Sequence, residues 1–331
     1  MAGPPPRSAP APAGGHPTLT ARPERPGALR AGIHRLISLG PYLAYRGASA
    51  LARALPGPVA EVVFDGLGLA CSRLLRERRA QARLHLRRIH GPGLAPSALE
   101  RQATQVFVSY ARYWRESFRL PGTGAAELDA HMSHEGLEHL EKALAAGRGV
   151  IMAMPHVGAW DFGGAWFASM GHRTMVVAEP VEPPELFAWF SRARRSLGLD
   201  LVALGPEAGT AVLRRLRQGG IVGLLCDRDI LGTGVKVELF GETTTMPSGP
   251  ATLALRTGAA ILPTAVYFEG RRGHHGVVRP PLSLERVGSF RDEVGRITQL
   301  LATEFEALIR RAPEQWHLLQ PNWPSDPGYG R

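Results

Sequence analysis

From Leu29 to about Gly91 the apolar residues recur at spacings of three and four. Ile33, Leu36 and Ile37 share one helical face, the spacing resumes after Pro41, and Val59, Val62, Val63, Leu67, Ala70 and Leu74 form a further stripe, which predicts amphipathic helices. Ser97 and Glu100 have the spacing of a capping box, and Ala103, Phe107, Tyr110, Trp114 and Phe118 follow on one helical face. An aromatic stripe of this kind is expected to pack against a core and need not touch a ligand. Pro121-Gly-Thr-Gly124 should end that helix.

Beyond this boundary short β-like runs alternate with helical ones. The runs are Gly149–Met154, Thr174–Ala178, Leu201–Leu204, Ile221–Cys226, Val235–Phe240 and Ile261–Phe268, with helical stretches at Glu185–Leu197 and Thr210–Gln218. The alternation predicts an α/β fold, a mixed central sheet flanked by helices, preceded by the amphipathic helical segment. Three regions are expected: a Pro/Ala/Arg-rich disordered tail over 1–28, a membrane-associating helical segment over 29–124, and the α/β core over 125–325.

The polar groups that matter stand where strands end. In Gly149-Val-Ile-Met-Ala-Met-Pro-His-Val-Gly-Ala-Trp-Asp161 an apolar run stops at Pro155 and is followed by His156 and Asp161. On an unbroken helix five residues at about 100° each would leave these side chains about 140° apart, so they can meet only where the backbone bends. Pro155 and Gly158 supply a bend. Glu179 and the run Asp227-Arg228-Asp229 also follow predicted strands, and ligand crevices of open α/β sheets lie beyond the strands' carboxyl ends. A histidine with an ordinary pKa near 6.5 can take a proton from an alcohol at neutral pH, and a carboxylate beside it fixes its tautomer and stabilises the imidazolium. Asp161 is the carboxylate expected in that role. No Gly-x-Ser-x-Gly, His-Glu-x-x-His or Walker A pattern occurs, which argues against the common serine hydrolases, zinc peptidases and nucleoside triphosphatases.

Composition narrows the partners. The 331 residues carry 39 basic and 29 acidic side chains, a formal charge of +10, and Lys142 and Lys236 are the only lysines. Such an excess attracts polyanions. Arg73, Arg76, Arg78, Arg79, Arg83, Arg87 and Arg88 lie beside apolar helical stripes, a pairing suited to an anionic membrane surface, whereas no interleaved base-stacking pattern points to nucleic acid. No uncharged apolar run reaches the roughly 20 residues needed to span a bilayer, and the first 27 residues lack the apolar stretch of an export signal. Cys71 and Cys226 show no metal-binding spacing and read as buried thiols.

Asp227-Arg228-Asp229, Phe240-Gly241-Glu242 and Pro247-Ser-Gly-Pro250, taken with the Pro-His-x-Gly-x-Trp-Asp stretch, resemble the lysophospholipid-type acyltransferases of the lipid A acyltransferase superfamily, most closely the phosphatidylinositol mannoside acyltransferases. The resemblance runs over roughly Ile33–Trp323. It implies transfer of a long acyl chain, palmitoyl foremost, from acyl-CoA to a mannose 6-hydroxyl of phosphatidylinositol mannoside. The expected setting is peripheral, at the cytoplasmic face of the plasma membrane. It implies acyl-CoA as donor substrate, a glycolipid acceptor, no cofactor and no metal. His156 and Asp161 match the His-x4-Asp catalytic pair, and no covalent acyl-enzyme is expected. Amides near Trp160 would meet the oxyanion. Arg194 and Arg228 would meet phosphate or hold acidic side chains, and Glu179, Asp227 and Asp229 would bind sugar hydroxyls or extend the histidine's network. Phe240, Gly241 and Glu242 would form a site loop. The Glu-Gly-Thr-Arg phosphate-binding motif of glycerol-phosphate acyltransferases is absent, which argues against a simple lysophosphatidate acceptor; another glycolipid or lysophospholipid is the alternative acceptor.

Overall fold

A computed structural model describes residue 3 and residues 28–330, with side chains from residue 39 onward. The expected tail and the stripe of Ile33, Leu36 and Ile37 therefore lie outside the described residues or side chains. Contacts divide the chain at Gly40, and the sheet, its covering helices and the site all belong to the unit that begins at Pro41.

Four long helices come first: α1 (Ala28–Ala54), α2 (Gly57–Leu74), α3 (Arg76–His90) and α4 (Pro96–Arg119). Helix α2 turns Phe64 and the small residues Ala60, Gly68 and Ser72 inward. At Gly68 a Cβ would stand 2.8 Å from the Phe107 carbonyl, so only glycine lets α2 lie this close to α4. The apolar stripe of α2 is therefore largely outward: Val59, Val62, Leu67 and Leu74 are exposed, together with Leu69 and Leu75. Helix α4 begins at Pro96 with Ala95 as its cap, and no side-chain cap bond forms, so the Ser97/Glu100 capping box is not realised. Proline at the first helical position already sets the required φ and lacks the N–H that a cap would satisfy.

After α5 (Ala125–Ala130) the chain becomes α/β: β1 (Met132–Glu135), α6 (Leu137–Ala145), β2 (Val150–Met154), α7 (Trp160–Ser169), β3 (Thr174–Ala178), α8 (Pro184–Ser196), β4 (Asp200–Ala203), α9 (Ala208–Arg217), β5 (Ile221–Leu225), β6 (Val235–Leu239), β7 (Glu242–Met246), α10 (Gly249–Thr257), β8 (Ala260–Glu269), β9 (Gly273–Val278) and α11 (Phe290–Arg311). Seven strands form one sheet in the order β1-β9-β8-β2-β5-β3-β4. All neighbours are parallel except β8 and β9, so the sheet is mixed, and β6 and β7 make a separate antiparallel pair. Strands β1, β7 and β9 are absent from the sequence expectation, because Met-Ser-His-Glu, Glu-Thr-Thr-Thr-Met and Gly-His-His-Gly-Val-Val carry too few apolar residues to announce themselves.

Period-two alternation in β2 divides the core. Ile151 and Ala153 join a cluster with Leu216 of α9, Ala254 of α10 and Ile297 and Phe305 of α11, while Val150 and Met152 face Phe162 and Trp166 of α7. The central strand is covered on both faces, which is why it reads as a continuous apolar run. Helix α11 starts with a capping box formed by Ser289 and Asp292. Cys226 is buried as expected, but Cys71 is exposed, because it lies on the outward side of α2.

The arginine cluster is split by function. Arg78 donates to the Leu319 carbonyl, Arg79 and Arg83 pair with Glu100, and Arg88 bridges Glu242 and Asp326 while stacking over Trp323. These four anchor α3 to its surroundings. Arg73, Arg76 and Arg87 are exposed and form no ion pair among the described residues.

Candidate active site

Parallel pairing of β2 with β5 brings the reactive groups together. The register joins Val150 to Ile221 and Met154 to Leu225, an offset of 71 in each pair, and the Cys226 amide continues the ladder to the Met154 carbonyl. The same offset, carried beyond the strand ends, sets His156 opposite Asp227. His156 Nδ1 stands 2.6 Å from Asp227 Oδ1, and the His156 amide donates to Oδ2 at 2.9 Å. Trp316 Nε1 donates to Oδ2 at 2.7 Å, and Asn322 holds the Asp227 carbonyl. Burial alone would raise the Asp227 pKa. The His156 charge and hydrogen bonds, with the Trp316 indole, outweigh that and hold it below the usual carboxylate value. A carboxylate at Nδ1 fixes the tautomer that leaves the Nε2 lone pair free, and Nε2 has no hydrogen-bond partner among the described residues. With 27% of its side chain exposed, His156 remains reachable.

The turn after His156 is clamped on two sides. Gly158 has φ +61°, and a Cβ there would stand 2.1 Å from the Val266 carbonyl, so glycine is required. Its amide donates to the Gln315 carbonyl, the Ala159 amide donates to Val266, and the His317 amide donates to the His156 carbonyl. The His317 ring is buried beside Tyr110, Tyr113 and Trp160, with Nε2 2.8 Å from Ser109 Oγ. Burial and the neighbouring His156 charge push its pKa down to about 3, so it stays neutral.

Asp161 does not meet His156. The turn sends it onto the first turn of α7, where Arg194 Nε and a terminal guanidinium nitrogen donate to its carboxylate at 3.0 and 3.1 Å and Tyr113 Oη at 2.7 Å. The expectation that Asp161 orients His156 is thus corrected: Asp227 occupies that position, and Asp161 is neutralised by Arg194. Burial would lower the Arg194 pKa, but Asp161 more than restores it and raises it further. Desolvation, then Asp161, lifts Tyr113 well above its usual value, so it remains a hydrogen-bond donor.

His156 opens into a cavity of about 290 Å3. Its walls are the alternate residues of three adjacent strands, Met152 and Met154, Gly223 and Leu225, Thr174 and Val176, covered by Trp160, Gly163 and Phe167 of α7. Gly223 leaves space that a side chain would fill, since its Cβ would meet Met154, Thr174 and Val176 at 3.4 to 3.5 Å. Tyr110 and Trp114 also line the cavity, so the α4 aromatic stripe does more than pack against a core. The walls are mainly apolar, and the polar groups are confined to His156, Asp161, Glu179, Arg194, Arg228 and a few hydroxyls.

A sequence profile of the family described as bacterial lipid A biosynthesis acyltransferase matches residues 35–325. The chain belongs to this family. Among curated relatives, the phosphatidylinositol mannoside acyltransferase of Mycobacterium tuberculosis is 42% identical over 253 residues, covering 74% of this chain and 77% of that one. The protein of the same name from Mycolicibacterium smegmatis is 38% identical over 289 residues, 86% and 91% of the two chains. A lipid A biosynthesis acyltransferase from Haemophilus influenzae is 24% identical over 183 residues, 55% of each.

In this acyltransferase the other expected site residues fall into two groups. Trp160 stands edge-on to His156 at 5.6 Å between ring centres, and Glu179 and Arg228 pair at 3.7 Å on the cavity wall. Asp229 does not line the cavity; its carboxylate accepts the Gly234 amide and shapes the following loop. Phe240, Gly241 and Glu242 form the β6–β7 turn and also lie outside the cavity wall, contrary to expectation. Phe240, at φ +52°, packs against Trp316 and Arg310, and Glu242 binds Arg88 and Ser325. The residues that sequence reasoning missed are Trp316, Asn322, His317 and Tyr113. The first three sit in a C-terminal stretch without helical or strand periodicity, and Tyr113 lies one residue off the aromatic stripe.

Proposed function

We propose that this acyltransferase moves a long fatty acyl chain, palmitoyl foremost, from acyl-CoA to a mannose 6-hydroxyl of phosphatidylinositol mannoside. The observation that carries the chemistry is the His156 Nδ1 to Asp227 contact of 2.6 Å at an apolar cavity. The names of the two mycobacterial relatives support the acceptor.

His156 Nε2 takes the proton of the acceptor hydroxyl as its oxygen attacks the thioester carbonyl. The carbon–sulfur bond then breaks, and the proton passes from His156 to the departing thiolate, so no acyl group is carried by the protein. Asp227 stabilises the imidazolium in between. Amides of the first turn of α7 are free of backbone acceptors by helix geometry and meet the oxyanion. The apolar walls take the acyl chain, and Arg228 with Glu179 meets the polar acceptor.

Membrane attachment is peripheral, at the cytoplasmic face. Exposed Val59, Val62, Leu67, Leu74 and Leu75 beside the unpaired Arg73 and Arg76 support it, as an apolar face rimmed by cations inserts among anionic headgroups. No helix among the described residues is long and apolar enough to cross a membrane.

The test is incubation of purified protein with labelled palmitoyl-CoA and a panel of lipid acceptors. Labelled phosphatidylinositol mannoside is the expected product, with no acyl adduct in intact-protein mass spectra. Transfer only to a lysophospholipid or to another glycolipid would replace the acceptor, and an adduct would replace direct attack.

A further inference from the structure

A second cavity, of about 550 Å3, lies at the opposite end of the sheet from His156. It is walled by α6, the amino ends of β2 and β8 at Gly149 and Ala260, the end of α10, and the segment after β9. Strand β2 joins the two regions: Gly149 borders this groove and Pro155-His156 follows the other end, roughly 17 Å away for a five-residue strand. Its apolar wall includes Ala143, Leu255, Leu282 and Leu284, and its charged groups are Lys142, Arg148 and Arg286, with no carboxylate among the lining residues.

Three cations around one apolar groove have a structural alternative, because they also stand near the carboxyl ends of α6 and α10. Arg286 does serve that purpose, donating to the Leu255 carbonyl at 2.8 Å. The two helix ends amount to about half a negative charge each, so three cations leave an excess of about two positive charges. Lys142 and Arg148 are exposed and enter no ion pair or side-chain hydrogen bond among the described residues. A volume of this size falls within the roughly 300–1,000 Å3 of small-molecule sites.

We propose that this groove binds a small phosphorylated metabolite of mononucleotide size, its phosphates on Lys142 and Arg148 and its apolar part on Leu282 and Leu284. The charge excess selects two or more negative charges, and the apolar wall selects a body beyond phosphate itself. The site is separate from the acyl-transfer chemistry and does not depend on the acceptor assigned above.

Titration calorimetry of the full chain with ADP tests it. One-to-one binding is expected, with pyrophosphate and adenosine each weaker than ADP. In the double variant Lys142→Glu/Arg148→Glu, ADP binding should weaken at least about tenfold, equivalent to about 1.4 kcal/mol. Acyl transfer without ADP should be unchanged in that variant, which also shows that it folds. Arg228→Glu, at the other cavity, should leave ADP affinity as it is. Loss of binding in Arg228→Glu with retention in the double variant would move the nucleotide to the His156 cavity and overturn the proposal. So would the absence of ADP binding, including the case in which the double variant loses only its binding to phosphatidylglycerol vesicles, which would make the groove a lipid-headgroup surface.

Discussion

At the scale of single residues, Asp161 and Asp227 divide tasks that the His-x4-Asp spacing would give to Asp161 alone. Asp161→Asn should act mainly on the fold, because it leaves the partly buried Arg194 without its counter-charge, at a cost below the roughly 3–5 kcal/mol of breaking a fully buried pair. Thermal denaturation checks this; an unchanged melting temperature would remove Asp161 from that role. Trp316→Phe keeps an aromatic ring but deletes the indole donor to Asp227, and loss of a hydrogen bond to a charged group costs about 1.5–3 kcal/mol. Turnover should fall along with stability, since Asp227 is then less firmly aimed at His156. His317 makes stability depend on pH. Its folded pKa of about 3 lies below the unfolded 6.5, so the neutral form is favoured by folding. That contribution is complete above pH 6.5 and is lost as pH falls toward 3, at about 1.4 kcal/mol per pH unit. His85, also depressed by burial, adds in the same direction. Denaturant midpoints measured between pH 7.5 and 5 should fall accordingly, and in His317→Gln the slope should be shallower.

At the scale of elements, the site is a consequence of strand register. Both runs that carry it, Gly149–Met154 and Ile221–Cys226, are legible from apolar pattern, and so are the polar residues at their ends. What no local pattern conveys is that β5, fifth in sequence, lies next to β2, and only that adjacency turns an offset of 71 into a contact between His156 and Asp227. His-x4-Asp is close in sequence, so it suggests a pairing that the turn at Gly158 then prevents. The Phe240-Gly241-Glu242 turn misleads for a related reason: polar and aromatic residues at a hairpin end look like ligands, but Arg88 and Trp316 take them up inside the fold. Trp316 and Asn322 act through long-range contacts from an unpatterned segment. The turn at Gly158 has a direct test. Gly158→Ala forces a left-handed φ on alanine and a clash with Val266, with strain of at least about 1–3 kcal/mol, so both melting temperature and acyl transfer should drop.

At the scale of the whole molecule, a water-facing apolar surface and a buried chemical site have to serve the same lipid substrate. Val62→Asp together with Leu74→Asp should weaken sedimentation with anionic vesicles without disturbing the core, since both side chains are exposed on α2. Binding of the unaltered protein should fall as salt rises, because exposed charges are screened beyond about 10 Å at 0.1 M. Equal binding to neutral and anionic vesicles would remove the electrostatic part. The central claim, however, is that His156 is the general base and that Asp227 rather than Asp161 serves it, and the most direct measurement is the turnover of Asp227→Asn on vesicles under saturating acyl-CoA. Asparagine keeps the shape but loses the charge that stabilises the imidazolium, so kcat should fall by about 100-fold or more while the protein remains folded. Near wild-type turnover by folded Asp227→Asn would contradict that claim.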